Sequence, residues 1–263
     1  MNIIKVIIFL IMISNVALGQ VLPIAHRGAS AYAPENTLRA IQKANELGSP
    51  YIEIDVHMTK DGEVVAIHDP TVDRTSNGSG DAYDFTLKQI KGLDFGLWFG
   101  VSFKDERVPT LEEVLKLIGD NSKLIIELKY GGDQYPQIEN KIISTVKRLD
   151  RSDSVILKSF SYEILNKFER LAPGIERLYC TFWGNSWLTI DNFFRFKGIF
   201  EKATFQYLQV HKLFLSKKLI QEAHGRGIKV VVWDVQDKET MREFVKKGVD
   251  FIESDNPDYV LDL

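Results

Sequence analysis

Eight short β-rich runs recur along this 263-residue chain with helical patterns between them, and that alternation dictates parallel strands joined by helical crossovers. The runs are Pro23–His26, Tyr51–Val56, Leu124–Lys129, Val155–Phe160, Glu176–Thr181, Tyr207–His211, Lys229–Val235 and Phe251–Asp255. Asn36-Thr37 can cap a helix running to Leu47 and closed by Gly48, and Thr110-Leu111-Glu112-Glu113 reads as a capping box. Further helical patterns cover Pro136–Leu149, Tyr162–Leu171, Ser216–Arg226 and Lys238–Lys247, with Gly227 and Gly248 ending the last two. One segment breaks the rhythm. Val64–His68 alternates like a strand, but Thr59-Lys60-Asp61-Gly62 is too short for a parallel crossover. It must run antiparallel, as a hairpin that returns His68 to the level of Asp55. Eight parallel strands close a (β/α)8 TIM-type barrel, here with a small β-hairpin excursion after strand 2.

The first 19 residues read as a signal peptide. Lys5 opens it, Val6–Ile13 is uninterrupted apolar sequence, and Ala17-Leu18-Gly19 offers the small residues of a cleavage site. The apolar run is shorter than the ~18 residues that span a bilayer, so no stable membrane insertion is expected after cleavage. Residues 20–263 then form one barrel domain, since 44% hydrophobic content supports a large core and no Pro/Gly/Ser-rich linker divides the chain. The protein is expected to be exported, to a periplasmic or an extracellular destination. Cys180 is the single cysteine, so an intrachain disulfide is impossible and the thiol reads as a small buried hydrophobe. Net charge is −3, which argues against a nucleic-acid partner. Oligomeric state is left open.

Period-two alternation separates the faces of each strand. In Ile52-Glu53-Ile54-Asp55-Val56 both carboxylates share one face, and in Leu124–Lys129 the same rule pairs Glu127 with Lys129. Like charges gathered at a barrel mouth cost several kcal/mol unless compensated. A divalent cation compensates them most simply, and all-oxygen ligation favours Ca²⁺ or Mg²⁺ over Zn²⁺; pairing with Arg27 and Lys129 alone is the alternative. His26 ends the first strand and His68 returns on the hairpin, so two imidazoles that titrate near 6.5 can face one cavity and exchange protons in opposite directions. Arg27 and Lys129 supply counter-charges for a phosphate. Trp233 ends a strand at the mouth, where it either stacks on a ligand or belongs to the core. His57 is expected on the hairpin, His224 in a last helical turn, and His211 at a strand end where it can line the pocket.

These residues carry a resemblance. His26-Arg27-Gly28, Pro34-Glu35-Asn36-Thr37, Glu53-x-Asp55-Val56, Lys60-Asp61-Gly62, His68-Asp69, Arg74-Thr75, Pro109–Glu113, Glu127-Leu128-Lys129, Trp233 and Gly248-Val249-Asp250 through Asp255-x-Pro257 resemble the glycerophosphodiester phosphodiesterase family, in order and across essentially the whole mature chain. The resemblance implies a distorted (β/α)8 barrel that hydrolyses small-molecule glycerophosphodiesters to sn-glycerol 3-phosphate and an alcohol with a divalent cation. It implies that Glu53, Asp55 and Glu127 bind metal, that His26 and His68 are the general acid/base pair, and that Arg27 and Lys129 hold phosphate. Asp234, Gln236 and Glu253 depart from the family pattern, which commonly has Thr, Asn and an apolar residue there. Extra acid near the mouth would bear on head-group choice.

The aromatic segment Thr181–Phe205 has two readings. Phe193, Phe196 and Phe200 have helical spacing and pack a crossover helix on the barrel, or the segment forms an apolar rim that admits acylated substrates. The second reading leads to a phospholipase D-like or lysophospholipid-cleaving activity. A non-catalytic, metal-bound phospholipid-binding module is the rival from another class, and the joint presence of both histidines and all three acids speaks against it.

Overall fold

The structure is a computed structural model that describes residues 20–181, Phe200 and residues 203–263. The expected leader and most of the aromatic segment lie outside the described residues. Eight parallel strands pair side by side in the order β1 (Leu22–Ala25), β2 (Tyr51–Met58), β4 (Lys123–Leu128), β5 (Val155–Ser159), β6 (Glu176–Thr181), β7 (Tyr207–His211), β8 (Lys229–Trp233) and β9 (Phe251–Ser254). The pairing of β9 with β1 closes the ring, with Ile24 opposite Glu253 and Ala25 opposite Ser254. The ninth strand, β3 (Val64–Ala66), pairs antiparallel with β2 and sets Val56 opposite Ala66. One residue further on, the Ile67 N–H donates to the Asp55 carbonyl at 3.0 Å. The hairpin therefore returns His68 to the level of Asp55, as its four-residue turn requires.

Alternation also sorts the core. Ile52, Ile54, Val56, Leu124, Ile126, Leu128 and Leu157 face outward into a layer shared with helices α1 (Leu38–Glu46), α3 (Leu111–Leu117), α4 (Ile138–Arg148) and α5 (Tyr162–Leu171). Residues of the other parity fill the barrel. At its lower end Ile24, Ile125, Ile156, Leu178, Val231 and Phe251 pack together, with Tyr51 and Tyr207 edge-on to Phe251 at 4.9 and 5.7 Å. One step further along the same strands stand Glu53, Glu127, Lys158, Gln209 and Glu253, all buried. An apolar plug thus closes the bottom and a charged layer lies above it.

The expected helices form, and all but one of the named caps hold: the helix Lys217–His224 ends on Gly225, two residues before the expected Gly227. Thr37 accepts from the Ala40 N–H at the start of α1 (3.3 Å), and Thr110 and Glu113 complete a capping box on α3. Gly248, at φ +91°, terminates α7 (Lys238–Lys247). Strand ends differ from expectation by one or two residues: β8 stops at Trp233 because Asp234 leaves the extended region at φ +61°. Among the described residues, no helix is long and apolar enough to cross a membrane.

Gly28 fixes how β1 meets α1. Its φ is +82°, and a Cβ there would lie 2.7 Å from the backbone carbon and Cβ of Ala40. Left-handed backbone and overpacking each cost a few kcal/mol at most, so Gly28→Ala is expected to destabilise by ~2–4 kcal/mol. Urea unfolding checks this, and an unchanged midpoint would show that α1 yields without cost.

Candidate active site

The charged layer opens into a cavity of about 330 Å³ lined by His26, Arg27, Asp55, His68, Lys129 and Trp233, with the buried acids at its base. A larger cavity of about 570 Å³ lies between the loops after β4 and β5 and shares Lys129 with it.

Each histidine is held by its own carboxylate. His26 Nδ1 lies 2.7 Å from Asp255 Oδ1, and His68 Nδ1 lies 2.6 Å from Asp69 Oδ1. A carboxylate only accepts, so Nδ1 carries the proton in both rings and Nε2 is left for the cavity. Their electrostatics diverge. Burial lowers the His26 pKa, but the Asp255 hydrogen bond and the charges of Glu253 and Glu53 outweigh it, and the group ends above the ordinary imidazole value. Burial lowers His68 too; Asp55 opposes this, but Lys129 and Arg27 reinforce it, and His68 ends below that value. One ring favours the charged form and the other the neutral form.

Asp55 is clamped from all sides. Asn36, itself at φ +58°, donates to Asp55 Oδ2 at 3.0 Å and accepts the Asp55 N–H at 3.1 Å. Lys129 bonds to Oδ1, and Arg27 Nε stands 3.5 Å from Oδ2. Burial raises the Asp55 carboxyl, but Lys129 and Arg27 hold it well below the ordinary range. Glu53 goes the other way: burial, reinforced by Asp55 and Glu253 and opposed by Lys158, pushes it up to about 7. Glu127 lies beside Asp55 in the β2–β4 register, and its Oε1, 3.2 Å from Lys129, has no hydrogen bond among the described residues.

The three carboxylates each offer an oxygen within 4.8 Å of the others. An all-oxygen donor set, a carboxyl driven toward protonation and a buried oxygen without a hydrogen bond among the described residues together fit a hard divalent cation. Pairing with Arg27 and Lys129, the alternative to a metal, is also present. Lys129 contacts Asp55 and Glu127, and Arg27 donates to Glu35 Oε1 at 2.9 Å while its backbone N–H donates to Glu53 Oε2 at 3.0 Å. Both cations line the cavity, so both can turn part of their donor capacity to an anion.

The model of the glycerophosphoryl diester phosphodiesterase family matches residues 26–259, a span that contains both histidines, the three clustered acids, Arg27 and Lys129. The chain belongs to that family. It is 40% identical over 247 residues to the glycerophosphodiester phosphodiesterase of Caldanaerobacter subterraneus, a match covering 92% of this chain and 97% of the relative. An Oleispira antarctica phosphodiesterase, solved with its product sn-glycerol-3-phosphate, superposes with a TM-score of 0.82 at 29% identity and covers 92% of this chain and 95% of its own. The glycerophosphodiester phosphodiesterase of Agrobacterium tumefaciens gives 0.78 at 28% identity, over 92% of this chain and all of that one. The chain is an enzyme of this class.

Within this glycerophosphodiester phosphodiesterase fold the remaining expectations resolve individually. Trp233 lines the cavity and packs edge-on against His211 at 4.9 Å, with Phe160 at 6.1 Å. His211 also stands 3.5 Å from Asp234, and His224 binds Asp250 at 2.7 Å. His57, fully buried on the hairpin, takes Tyr135 at Nδ1 (2.7 Å) and holds the His68 carbonyl at Nε2 (3.1 Å). It is a positioning residue for His68. Glu253 lines the base of the cavity below its mouth, buried and bonded to Lys158 and Gln209. Gln236 anchors the C-terminal end of β9, accepting from the Ser254 hydroxyl and the Asp255 N–H at 2.9 and 3.0 Å.

Several contributors carried no role in the sequence reading. Arg74 forks onto Glu35 through two 2.7 Å bonds and reaches Asp69 at 2.7 Å, so one guanidinium ties the Arg27 partner to the His68 partner. The motif fragments around Glu35 and Arg74 were its signal. Lys158 had a signal too, since alternation in β5 points it into the barrel with Ile156.

Proposed function

We propose that this protein is an exported, Ca²⁺- or Mg²⁺-dependent phosphodiesterase that hydrolyses glycerophosphodiesters to sn-glycerol 3-phosphate and an alcohol, with His26 and His68 as the acid/base pair. One observation carries the reading: two imidazoles with opposite protonation preferences, each fixed at Nδ1 by a carboxylate, share a cavity with Asp55 and Glu127, which cluster with Glu53 just beneath it. Glu53, Asp55 and Glu127 would hold the cation, which supplies charge neutralisation for the phosphoryl oxygens. Arg27 and Lys129 hold the phosphate and stabilise charge that builds on it. His68, kept neutral, takes at Nε2 the proton of the attacking oxygen as that oxygen bonds to phosphorus; where the attacker is the neighbouring glycerol hydroxyl and not water, a water then opens the cyclic phosphate to glycerol 3-phosphate. His26, kept charged, gives its Nε2 proton to the leaving alcohol as the P–O bond to that alcohol breaks. Trp233 offers an aromatic face to the glycerol backbone.

The acylated-substrate reading rests on an aromatic segment that lies largely outside the described residues. At its described end Phe200 and Phe205 are buried in the core, which favours the packing role. The test is chelated enzyme resupplied with single metals and assayed on glycerophosphodiesters with and without acyl chains. Glycerol 3-phosphate release from deacylated substrates, restored by Ca²⁺ or Mg²⁺, is the expected result; preference for acylated substrates would replace the reading with its rival. Cell fractionation with N-terminal sequencing tests export, which requires a mature start at Gln20.

A further inference from the structure

Lys158 is the cation that the acid/base and phosphate chemistry does not use. It is 2% exposed on β5, and its Nζ lies 3.1 Å from Glu53 Oε1, 3.0 Å from Glu127 Oε2 and 3.2 Å from both oxygens of Glu253. An ammonium has three donors and no acceptor, so three carboxylates saturate it. Glu253 has further support from Gln209 Nε2 at 3.0 Å and faces His26 Nε2 at 4.0 Å.

The described residues contain two groups able to surround a cation: Glu53, Asp55 and Glu127, and, sharing Glu53, the set of His26, Glu53 and Glu253. The Lys158 ammonium bonds the two carboxylates of the second set and one more of the first. Gln209, fully buried, leaves its Oε1 without a hydrogen bond among the described residues, a further oxygen lining the same cavity. Without Lys158, the second set would be a buried acid pair flanked by an imidazole and an amide oxygen, a donor set suited to a divalent ion.

We propose that Lys158 is a resident internal cation that stands in for a second divalent ion, balancing Glu253 and orienting Glu53 and Glu127 so that the site takes one metal. The inference rests on the reading of Glu53, Asp55 and Glu127 as the metal triad. Lys158 is a positioning residue here: it holds Glu53 Oε1 and Glu127 Oε2 and leaves Glu127 Oε1 toward the triad.

Calorimetric titration of the metal-stripped full chain with Ca²⁺, and separately with Mn²⁺, tests it through stoichiometry and affinity. Wild type is expected to bind one ion per chain. Lys158→Met should bind two, and Lys158→Met/Glu253→Leu should return to one. Glu253→Gln leaves Lys158 with surplus charge against Glu53 and Glu127, and should weaken the single ion about tenfold, or ~1.4 kcal/mol. Two ions in wild type, one ion of unchanged affinity in Lys158→Met, or wild-type affinity in Glu253→Gln would each overturn the proposal. If Lys158→Met does not fold, Glu253→Gln and the double variant still decide. No binding to wild type would instead remove the triad reading on which it stands.

Discussion

Replacing His26 or His68 by Ala is expected to lower kcat by ~10² to 10⁴ while leaving the barrel folded, because both rings are partly exposed at the mouth and neither belongs to the apolar layers. The two losses should differ in kind. With an activated leaving group such as p-nitrophenolate the departing oxygen needs little protonation, so the His26→Ala deficit shrinks while the His68→Ala deficit persists. The pH profile of kcat/KM carries the same assignment. His68 must be neutral and is held below the ordinary imidazole value, so activity rises with pH through an acidic limb below about 6.5. His26 must be charged and is held above it, so activity falls through a limb above about 6.5. Asp255→Asn removes the hydrogen bond that raises His26 and should move the alkaline limb toward acid, leaving the acidic limb in place. Near-normal turnover in both alanine variants, with circular dichroism unchanged, would reject the pair.

The parts of this site that were legible in sequence are those written locally. Glu53 and Asp55 are two residues apart, so strand alternation alone puts them on one face, and the four-residue link before Val64 leaves no option but a hairpin that returns His68. What was not legible is partnership across the closed ring. His26 and Asp255 are 229 residues apart and meet because β9 pairs with β1. Lys158 finds Glu253 across 95 residues and Glu53 across 105. A lysine pointing into a barrel demands a counter-charge, so alternation could have flagged Lys158 as paired; which acids it meets depends on the register around the whole sheet. Gln236 and Glu253 show the same limit. Each departs from the family pattern in sequence, and each proves to be an internal support, one bracing the end of β9 and the other the Lys158 cluster.

Chelation is expected to abolish turnover, and Asp55→Asn to reproduce most of that loss in the presence of metal. A divalent ion supplies several kcal/mol of charge stabilisation to a phosphoryl transition state, and each 1.36 kcal/mol is tenfold in rate, so a deficit of ~10³ or more follows. Asp55 is the carboxylate whose neutralisation should matter most, because Lys129, Arg27 and Asn36 all converge on it. That convergence makes a second, separable prediction. Removing one partner of a buried ion pair strands the other, at a cost of ~3–5 kcal/mol; an isosteric amide that keeps one acceptor toward Asn36 should fall at the lower end. Glu127→Gln provides the contrast, since its Oε1 takes no hydrogen bond among the described residues and Lys158 keeps Glu53 and Glu253 as partners. It should lose metal affinity with less loss of stability than Asp55→Asn. Urea unfolding of the metal-free proteins isolates the stability term, and turnover across a metal titration isolates the binding term. If the metal-free Asp55→Asn enzyme were as stable as wild type, the clamp described here would not be holding Asp55. If its turnover at saturating metal matched wild type, Asp55 would not be a ligand.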